Sequence, residues 1–325
     1  MTPVFELRNL NVRIDRPGGT LHAVRGVDLT VNKGTVHCLV GESGCGKSLT
    51  LLSIVGLHRA NIRTTTEHVQ LNGHALDIND RRQLETLRGN RIGMIFQDPM
   101  TAFNPTLTIG EQLEEIHRKH KKQGTRAARE RAIALLEKVG ISSAESRLGQ
   151  YPHELSGGLR QRAMIAMALM CEPDLLLADE PTTALDVTVQ SNVLHLLKKL
   201  KDELGLSIVL VTHDLGVVAA VADEVTVMYA GKVVETGTTA ELFEQPKHPY
   251  TAALFQCIPT LADLETGRRL ETIPGRVPVL DQALDGCAFY ERCAFKKEGC
   301  KAGEIELWAT SATGKARCVE YNPGT

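Results

Sequence analysis

A glycine-rich octapeptide, GESGCGKS, occupies residues Gly41–Ser48 and limits the folds open to this chain. It matches the pattern GxxxxGK[ST], in which glycines let backbone N–H groups curl around phosphates. An apolar run typical of a buried strand, Val36–Val40, precedes it, and Leu49–Val55 suits a helix. This order points the positive end of the helix at the phosphates. The sequence therefore predicts a phosphate-binding loop rather than a simple glycine-rich turn.

The pattern also predicts what individual residues of the loop do. Lys47 can reach the β- and γ-phosphates of a nucleotide, and Ser48 can ligate Mg²⁺. Cys45 occupies a variable position of the pattern, so we assign it no redox role. The predicted ATP-binding residues of this segment are Gly41, Glu42, Ser43, Gly44, Cys45, Gly46, Lys47, Ser48 and Leu49.

A second acidic element follows an apolar run, Leu175–Ala178, which ends in Asp179 and Glu180. We expect Asp179 to hold Mg²⁺, directly or through water, and Glu180 to polarise the attacking water as a general base. A strand that leads into a solvated acidic loop is the simpler alternative. The phosphate-binding loop upstream favours the catalytic interpretation.

Strand and helix patterns alternate along the chain, which is typical of an α/β fold with a largely parallel sheet covered on both faces. The predicted strands are Val4–Ile14, Val27–Val31, Val36–Val40, Leu175–Ala178, Ile208–Val211 and Val225–Met228. The predicted helices are Leu49–Val55, Ala127–Val139, Arg162–Met170 and a face traced from Val189 to Leu204. Prolines become frequent after Phe243, so we place a domain boundary near Thr239, between residues 1–239 and 240–325.

Bulk properties exclude several classes of protein. A chain of 325 residues suits one large α/β domain with an appendage, and a net charge of −2 gives no reason to expect a nucleic-acid partner. No signal peptide is visible, and no apolar run approaches the roughly 20 residues of a membrane-spanning helix. Any membrane role must then come through partner chains. A reducing compartment is expected, without disulfides.

The segment Leu155–Arg162, LSGGLRQR, resembles the signature sequence of ABC ATPases, usually written LSGGQ, although Leu159 replaces the final Gln. Gln97 resembles the Q-loop glutamine, Ala184-Leu185-Asp186 the D-loop, and His213 the switch histidine. Because all these motifs occur in the family's order, the chain resembles an ABC ATPase over residues 4–237. The resemblance implies a P-loop NTPase fold with a RecA-like mixed sheet and a helical subdomain at about residues 98–170.

The resemblance also implies a mechanism. Family members work in pairs, so Ser156, Gly157, Gly158 and Asp186 would contact ATP bound by the partner subunit. Gln97 and His213 would sense or position the γ-phosphate, and Gln97 would join Ser48 and Asp179 around Mg²⁺. The segment 98–112 would bear on the membrane subunits. Adenine often stacks on an aromatic residue in this family. Here the region upstream of the loop offers Ile14, Leu21 and His22, so we expect an aliphatic contact or His22.

The C-terminal part carries a narrower resemblance. Lys247–Thr251, KHPYT, with Ile273–Gly275, Gly286–Phe289 and Arg292-Cys293, resembles the extension of oligopeptide and dipeptide importer ATPases. This implies peptide uptake at the cytoplasmic face of the inner membrane. The implied partners are a second ATPase subunit, identical or homologous, two transmembrane permeases and an extracytoplasmic solute-binding protein. Importers of nickel, glutathione or opines remain alternatives. A soluble ABC protein of translation or DNA repair and a P-loop kinase are the alternatives outside transport.

Four cysteines near the C-terminus, Cys287, Cys293, Cys300 and Cys318, follow the spacing C-x5-C-x6-C-x17-C. Four thiolates could ligate an iron–sulfur cluster or one zinc ion, although the tight CxxC pairs usual for zinc ribbons are absent. The resemblance to peptide importers suggests a 4Fe–4S cluster, and unmetallated thiols remain an alternative. Any such centre is expected to brace the proline-rich segment rather than to take part in catalysis.

Overall fold

The computed structural model describes residues 2–183, 186–257, 272–278, 285–301 and 303–323. The chain forms two compact units. The first unit consists of Met1–Val4, Val31–Thr35 and Leu76–Val211, and the second unit of Phe5–Thr30, Val36–Ala75 and Thr212–Thr325. The strands are β1 Pro3–Arg16, β2 Gly19–Asn32, β3 Val36–Val40, β4 Ile62–Thr65, β5 His68–Leu71, β6 His74–Ala75, β7 Ile92–Ile95, β8 Leu175–Asp179, β9 Ser207–Val211, β10 Glu224–Tyr229, β11 Lys232–Thr238, β12 Trp308–Ala309 and β13 Lys315–Ala316.

Helices connect these strands and precede the C-terminal segment. The helices are α1 Lys47–Ile54, α2 Arg81–Leu87, α3 Pro99–Ala102, α4 Ile109–Lys121, α5 Thr125–Lys138, α6 Ala144–Arg147, α7 Gly157–Ala168, α8 Val187–Leu204, α9 Leu215–Val221, α10 Thr239–Glu244 and α11 Pro249–Gln256. Short 3₁₀ turns occur at Pro152–Glu154, Tyr290–Arg292, Glu298–Cys300 and Val319–Tyr321. In the described part of the chain, no helix has the length and apolarity needed to cross a membrane.

The second unit is built on a completely buried strand, β3, which pairs in parallel with β10. On the far side of β10, β11 runs antiparallel, and the short strands β13 and β12 continue from β11. The C-terminal segment thus adds strands to the sheet that contains β3. A separate antiparallel sheet places β1 between β2 and β5, and β4 also pairs with β1.

The first unit contains three parallel strands, with β8 between β7 and β9. Ile95 lies opposite Ala178, and Asp179 lies opposite Val211. The carboxyl ends of β7 and β8 therefore lie at the same edge, and the residues that follow them are brought together there. Helices α4, α5 and α7 of the same unit pack on one another. This is the region where the sequence predicts a helical subdomain.

The mixed α/β fold predicted from the sequence is confirmed, and β3 has the predicted bounds. Two predicted starts were wrong: β2 was predicted to start at Val27 but starts at Gly19, and α7 was predicted to start at Arg162 but starts at Gly157. Two adjacent glycines obscure the helical pattern, yet Ser156 caps the helix in front of them. The domain boundary near Thr239 stays a prediction; the described residues from Thr212 onward belong to the second unit.

Candidate functional site

The phosphate-binding loop leaves β3 at Gly41, where only glycine fits. Its φ is +148°, and a Cβ at this position would lie 2.1 Å from the carbonyl oxygen of Met228. The loop ends at Gly46, the N-cap of α1, which has a φ of 106°. L-residues with a side chain rarely adopt such angles, so the glycines of the motif are dictated by the shape of the backbone.

Lys47, the first residue of α1, is 5% exposed, and its ammonium group lies against the loop itself. Nζ donates to the carbonyl oxygen of Gly41 at 2.7 Å and to that of Glu42 at 3.1 Å. Ser48 follows as the second residue of the helix and is half-buried. A cation and a helix N-terminus beside one tight loop form a suitable site for phosphate oxygens.

Cys45 lies inside the loop, and its side chain is completely buried. Burial raises the pKa of its thiol, while the Lys47 ammonium, 3.7 Å from Sγ, acts in the opposite direction. Burial outweighs the lysine, so the thiol stays protonated at neutral pH. A buried thiol is a poor nucleophile, which agrees with a packing role for Cys45.

In the first unit, Gln97 and Glu180 meet at the carboxyl ends of β7 and β8. The amide Nε2 of Gln97 donates to Oε2 of Glu180 at 3.0 Å, and the Thr183 hydroxyl donates to the same oxygen at 2.9 Å. The structure thus brings together two of the three residues that were predicted to be catalytic. Thr183 was not predicted, because its relation to Glu180 depends on the turn after β8.

The two carboxylates after the apolar run differ in their surroundings. Asp179 is the last residue of β8 and is 6% exposed, whereas Glu180 is half-buried. Glu180 has a φ of 45°, a left-handed conformation that is uncommon for a residue with a side chain. Such strained positions concentrate at functional sites. The strain turns the chain between two adjacent carboxylates, and sequence patterns give no sign of it.

The segment that resembles the signature sequence forms the start of α7 in the first unit. Ser156 is exposed and is the N-cap residue, and its Oγ accepts the Leu159 N–H at 3.4 Å. Gly157 opens the helix, so backbone N–H groups of the first turn point out of its exposed end. Further along α7, the buried Gln161 donates to the Pro181 carbonyl at 2.6 Å and ties this helix to the turn after Glu180. Gln161 was not predicted, because it stands between Arg160 and Arg162 and the sequence gives no sign that it alone is buried.

The remaining predicted residues occupy the ends of other elements. Asp186 is the N-cap of α8, where its Oδ1 accepts the Val189 N–H at 2.9 Å. Ala184 and Leu185, the other two residues of the predicted D-loop, lie outside the described residues. His213 belongs to the second unit and is exposed in the turn between β9 and α9.

The side chains proposed for adenine contact lie on β1 and β2 of the second unit. His22 is half-buried, and its Nε2 lies 3.0 Å from Oδ1 of Asn11. Burial lowers the pKa of His22, and the nearby Arg13 and Arg25 lower it further. A neutral imidazole is the form suited to stacking on a neutral base. Whether His22 or an aliphatic residue contacts adenine stays a prediction.

The four cysteines of the C-terminal segment lie near one another in the second unit. Burial raises the pKa of the Cys287 thiol to about 11, and the other three thiols add to that increase. The thiols of Cys287, Cys293 and Cys318 each accept a backbone N–H from the residue two positions later. Within the described residues, however, no three His, Cys, Asp or Glu side chains are arranged to hold one metal ion.

Comparisons with known proteins agree with this site and fold. Residues 24–183 match the ABC transporter family, and residues 234–300 match the family described as oligopeptide/dipeptide transporter, C-terminal region. The dipeptide transport ATP-binding protein DppD of Bacillus subtilis is 48% identical, over 92% of this chain and 89% of DppD. The oligopeptide transport ATP-binding protein OppD of Haemophilus influenzae is 46% identical, over 93% and 92% of the two chains.

Solved structures show the same fold. The ATP-binding cassette MJ0796, solved as a dimer in a post-hydrolysis state with ADP and Pi, superimposes with a TM-score of 0.64 at 29% identity. That match covers 72% of this chain and 98% of the cassette. The cbiO1 protein of Clostridium perfringens gives a TM-score of 0.63 at 27% identity, over 75% of this chain and 92% of cbiO1. With the phosphate-binding loop, the signature segment and relatives that align over nearly their full length, the chain belongs to the ABC transporter ATP-binding proteins, within the group that carries the oligopeptide/dipeptide transporter C-terminal region.

Proposed function

We propose that this chain hydrolyses ATP to drive the import of dipeptides or oligopeptides across the cytoplasmic membrane. The observation that carries the proposal is the joint match of the ATPase part and the C-terminal part to transport ATP-binding proteins named for these substrates. A P-loop kinase would have no reason to carry the signature segment or this C-terminal region. The alternatives outside transport are therefore the weaker ones.

The residues divide the chemistry of hydrolysis among them. Lys47 and the N–H groups of the loop bind the β- and γ-phosphates, and His213 positions the γ-phosphate. Glu180 accepts the proton of the attacking water as a general base, and its hydrogen bond from Gln97 orients the carboxylate. The oxygens of Ser48, Asp179 and Gln97 are hard ligands that suit Mg²⁺, which would neutralise charge on the phosphates.

Two substitutions test this division of roles. Glu180→Gln keeps the loop and should bind ATP normally, but turnover should fall by roughly a hundredfold or more because the base is lost. Lys47→Ala should instead weaken ATP binding itself. Equilibrium binding of a fluorescent ATP analogue and phosphate release in the assembled transporter separate the two effects. Near-normal turnover in Glu180→Gln, or unchanged affinity in Lys47→Ala, would contradict the assigned roles.

We infer further that two ATPase subunits close over shared nucleotide. The solved cassette MJ0796 is described as dimeric, which supports this assembly. Ser156, Gly157 and Gly158 at the exposed start of α7 would bind the γ-phosphate held by the partner, and Asp186 would lie at the same interface. This arrangement explains why glycines with outward-facing N–H groups open a helix here.

The segment 98–112 is the proposed contact with the two permeases. It contains α3, whose Met100 is 52% exposed, and it directly follows Gln97. The buried Gln112 braces this segment, since its amide accepts from the Asn104 N–H at 2.8 Å and donates to the Leu107 carbonyl at 3.0 Å. A braced surface beside Gln97 can pass the state of the nucleotide to the membrane subunits. The chain would then lie at the cytoplasmic face of the inner membrane.

Substrate and partners can be tested together. The chain should co-purify with two hydrophobic permeases and a second ATPase. In vesicles that contain this complex and its extracytoplasmic binding protein, dipeptides or oligopeptides should stimulate ATP hydrolysis several-fold. Stimulation by nickel or glutathione, with none by peptides, would overturn the proposed substrate class.

The four cysteines remain a candidate 4Fe–4S site. Backbone N–H groups directed at the sulfurs of Cys287, Cys293 and Cys318 would stabilise thiolates, which supports this candidate. One zinc ion and unmetallated thiols remain the alternatives. Such a cluster would cross-link the C-terminal segment. Iron and sulfide analysis of anaerobically purified protein decides this: absence of both would overturn it.

A further inference from the structure

An arginine from the C-terminal segment forms an ion pair with the phosphate-binding loop. Arg292 lies in the short turn Tyr290–Arg292, next to Cys293, and its side chain is 6% exposed. Its Nη1 donates to Oε2 of Glu42 at 2.6 Å, and its Nη2 donates to Oε1 at 2.9 Å. Glu42 is the second residue of the loop. The contact is a two-point pairing of guanidinium and carboxylate, the strongest geometry available to such a pair.

The guanidinium is itself fixed in place by other groups. Its Nε donates to the Pro274 carbonyl at 2.8 Å, and Nη2 also donates to the Ile273 carbonyl at 3.2 Å. The Tyr229 hydroxyl lies 3.2 Å from Nη1, and the rings of Tyr229 and Phe289 lie 5.7 and 5.8 Å from the guanidinium carbon. Pairing with Glu42 raises the pKa of Arg292, so its charge is permanent.

A second residue holds the backbone of Glu42. The Glu42 N–H donates to the hydroxyl oxygen of Tyr250 at 2.9 Å, and Tyr250 is completely buried in α11. The rings of Tyr229 and Tyr250 are 4.6 Å apart, and Phe289 packs on both. Glu42 is thus held by its side chain and by its backbone, from two places in the C-terminal region.

The contacts that hold Glu42 also affect the position of Lys47, the residue assigned to the phosphates. The carbonyl oxygen of Glu42 is one of the acceptors of the Lys47 ammonium. Fixing Glu42 therefore fixes both the curvature of the loop and the resting place of Lys47. A loop held in its binding shape before nucleotide arrives loses less entropy on binding.

We propose that Arg292 and Tyr250 are positioning residues of the nucleotide site, through which the C-terminal segment holds the phosphate-binding loop in its ATP-binding shape. The proposal rests on the assignment of Gly41–Ser48 to the phosphates made above. It gives the C-terminal region a part in nucleotide binding, although it contributes no residue of the motif. The two residues act through Glu42 and need not touch the nucleotide.

The test measures nucleotide affinity and turnover separately, in the full chain. Glu42→Gln removes the charge but keeps an amide oxygen as acceptor and leaves the other contacts of Arg292 in place. Arg292→Gln removes the other half of the pair, and Arg292→Lys restores only its charge. Both glutamine variants should bind the fluorescent ATP analogue roughly tenfold more weakly, because in a smaller fraction of the molecules the loop has its ATP-binding shape. For Arg292→Gln, which changes no residue of the phosphate-binding motif, the maximal rate at saturating ATP should stay within about twofold.

A double-mutant cycle shows whether the pair acts as one unit. Glu42→Gln with Arg292→Gln should bind ATP no more weakly than the weaker single variant, because each change already breaks the same contact. Arg292→Lys should recover part of the affinity. Additive losses, or no recovery with lysine, would point to general disruption and would overturn the proposal.

The matched control is Glu304→Gln, which removes an exposed ion pair between the same segment and Lys232 of β11. It should leave ATP affinity unchanged. If Arg292→Gln does not fold, Glu42→Gln alone carries the test. Unchanged ATP affinity in folded Glu42→Gln would overturn the proposed positioning role of Arg292. A loss of ATP affinity in Lys47→Ala would still show that the loop binds ATP. Absence of ATP binding in the unaltered chain would instead overturn the proposed function.

Discussion

At the residue scale, the C-terminal region depends on His248, a completely buried histidine that stays neutral. Its side-chain Nδ1 accepts the Tyr250 N–H at 3.0 Å and so caps α11, while its backbone N–H donates to the carboxylate of Glu235 at 2.8 Å. Burial lowers the pKa of His248 to about 3, and the charge of Arg317 adds to this decrease. A protonated imidazole would lose the acceptor that caps the helix.

This makes stability depend on pH in a defined direction. Between pH 3 and 6.5 the unfolded chain binds a proton at His248 that the folded chain does not, so the free energy of unfolding falls as pH is lowered. At pH 5.5 the loss relative to pH 7.5 should be about 1.4 kcal/mol for this residue. Asn can supply the same capping acceptor without titrating.

The prediction is tested by denaturant unfolding of the unaltered chain and of His248→Asn at both pH values. The variant should be less sensitive to acid by about the amount given by linkage. Burial raises the pKa of Glu235, so the titration of this residue changes stability with pH in the direction opposite to that of His248. Comparing the two chains cancels the titration of Glu235 and of the other groups that both chains share. Equal acid sensitivity in both chains would contradict a buried neutral His248.

At the scale of elements, two helices of the first unit have N-cap residues of similar type to which we assign different roles. Thr108 forms a complete capping box with Glu111 at the start of α4: the Glu111 carboxylate accepts the Thr108 N–H at 2.7 Å. Ser156 caps α7 through one long contact of 3.4 Å. The Thr108 cap is built for stability, whereas Ser156 leaves its helix end open.

Matched alanine substitutions separate the two roles. Thr108→Ala should lower the free energy of unfolding by about 1 kcal/mol with ATP-dependent association unchanged. Ser156→Ala should cost less than about 0.5 kcal/mol, because its hydrogen bond is already weak, but should impair association of the ATP-bound subunits. Denaturant unfolding and light scattering provide the two measurements. A large stability loss with normal association in Ser156→Ala would make Ser156 an ordinary cap.

At the scale of the whole molecule, the chain is expected to complete its reaction centre only with a second ATPase subunit. Its own residues supply the loop and base for one nucleotide and the signature segment for another. With ATP and Mg²⁺, Glu180→Gln should persist at dimeric mass, with itself or with a homologous ATPase, because the nucleotide that joins the subunits is not hydrolysed. Sedimentation velocity measures this, with ADP as the control. Monomers in ATP, with or without the homologue, would contradict the shared site.

Local chemistry allowed much of the site to be predicted. The loop, the strand before it and the acidic pair are contiguous segments in which residue types follow directly from phosphate binding or from burial. The same reasoning fails where contact decides the structure. The start of α7 was missed because its glycines look like a break, and the strained Glu180 gives no sequence signal.

The α/β class, the nucleotide chemistry and the family could be inferred from residue order alone, because each depends on short contiguous stretches of chain. The distant residues that support them became evident only from the folded chain. Gln97 meets Glu180 across 83 positions, and Arg292 meets Glu42 across 250. Pairs so far apart leave no periodic or local pattern, since their meeting depends on how strands are ordered and on where buried aromatic rings place a charged side chain.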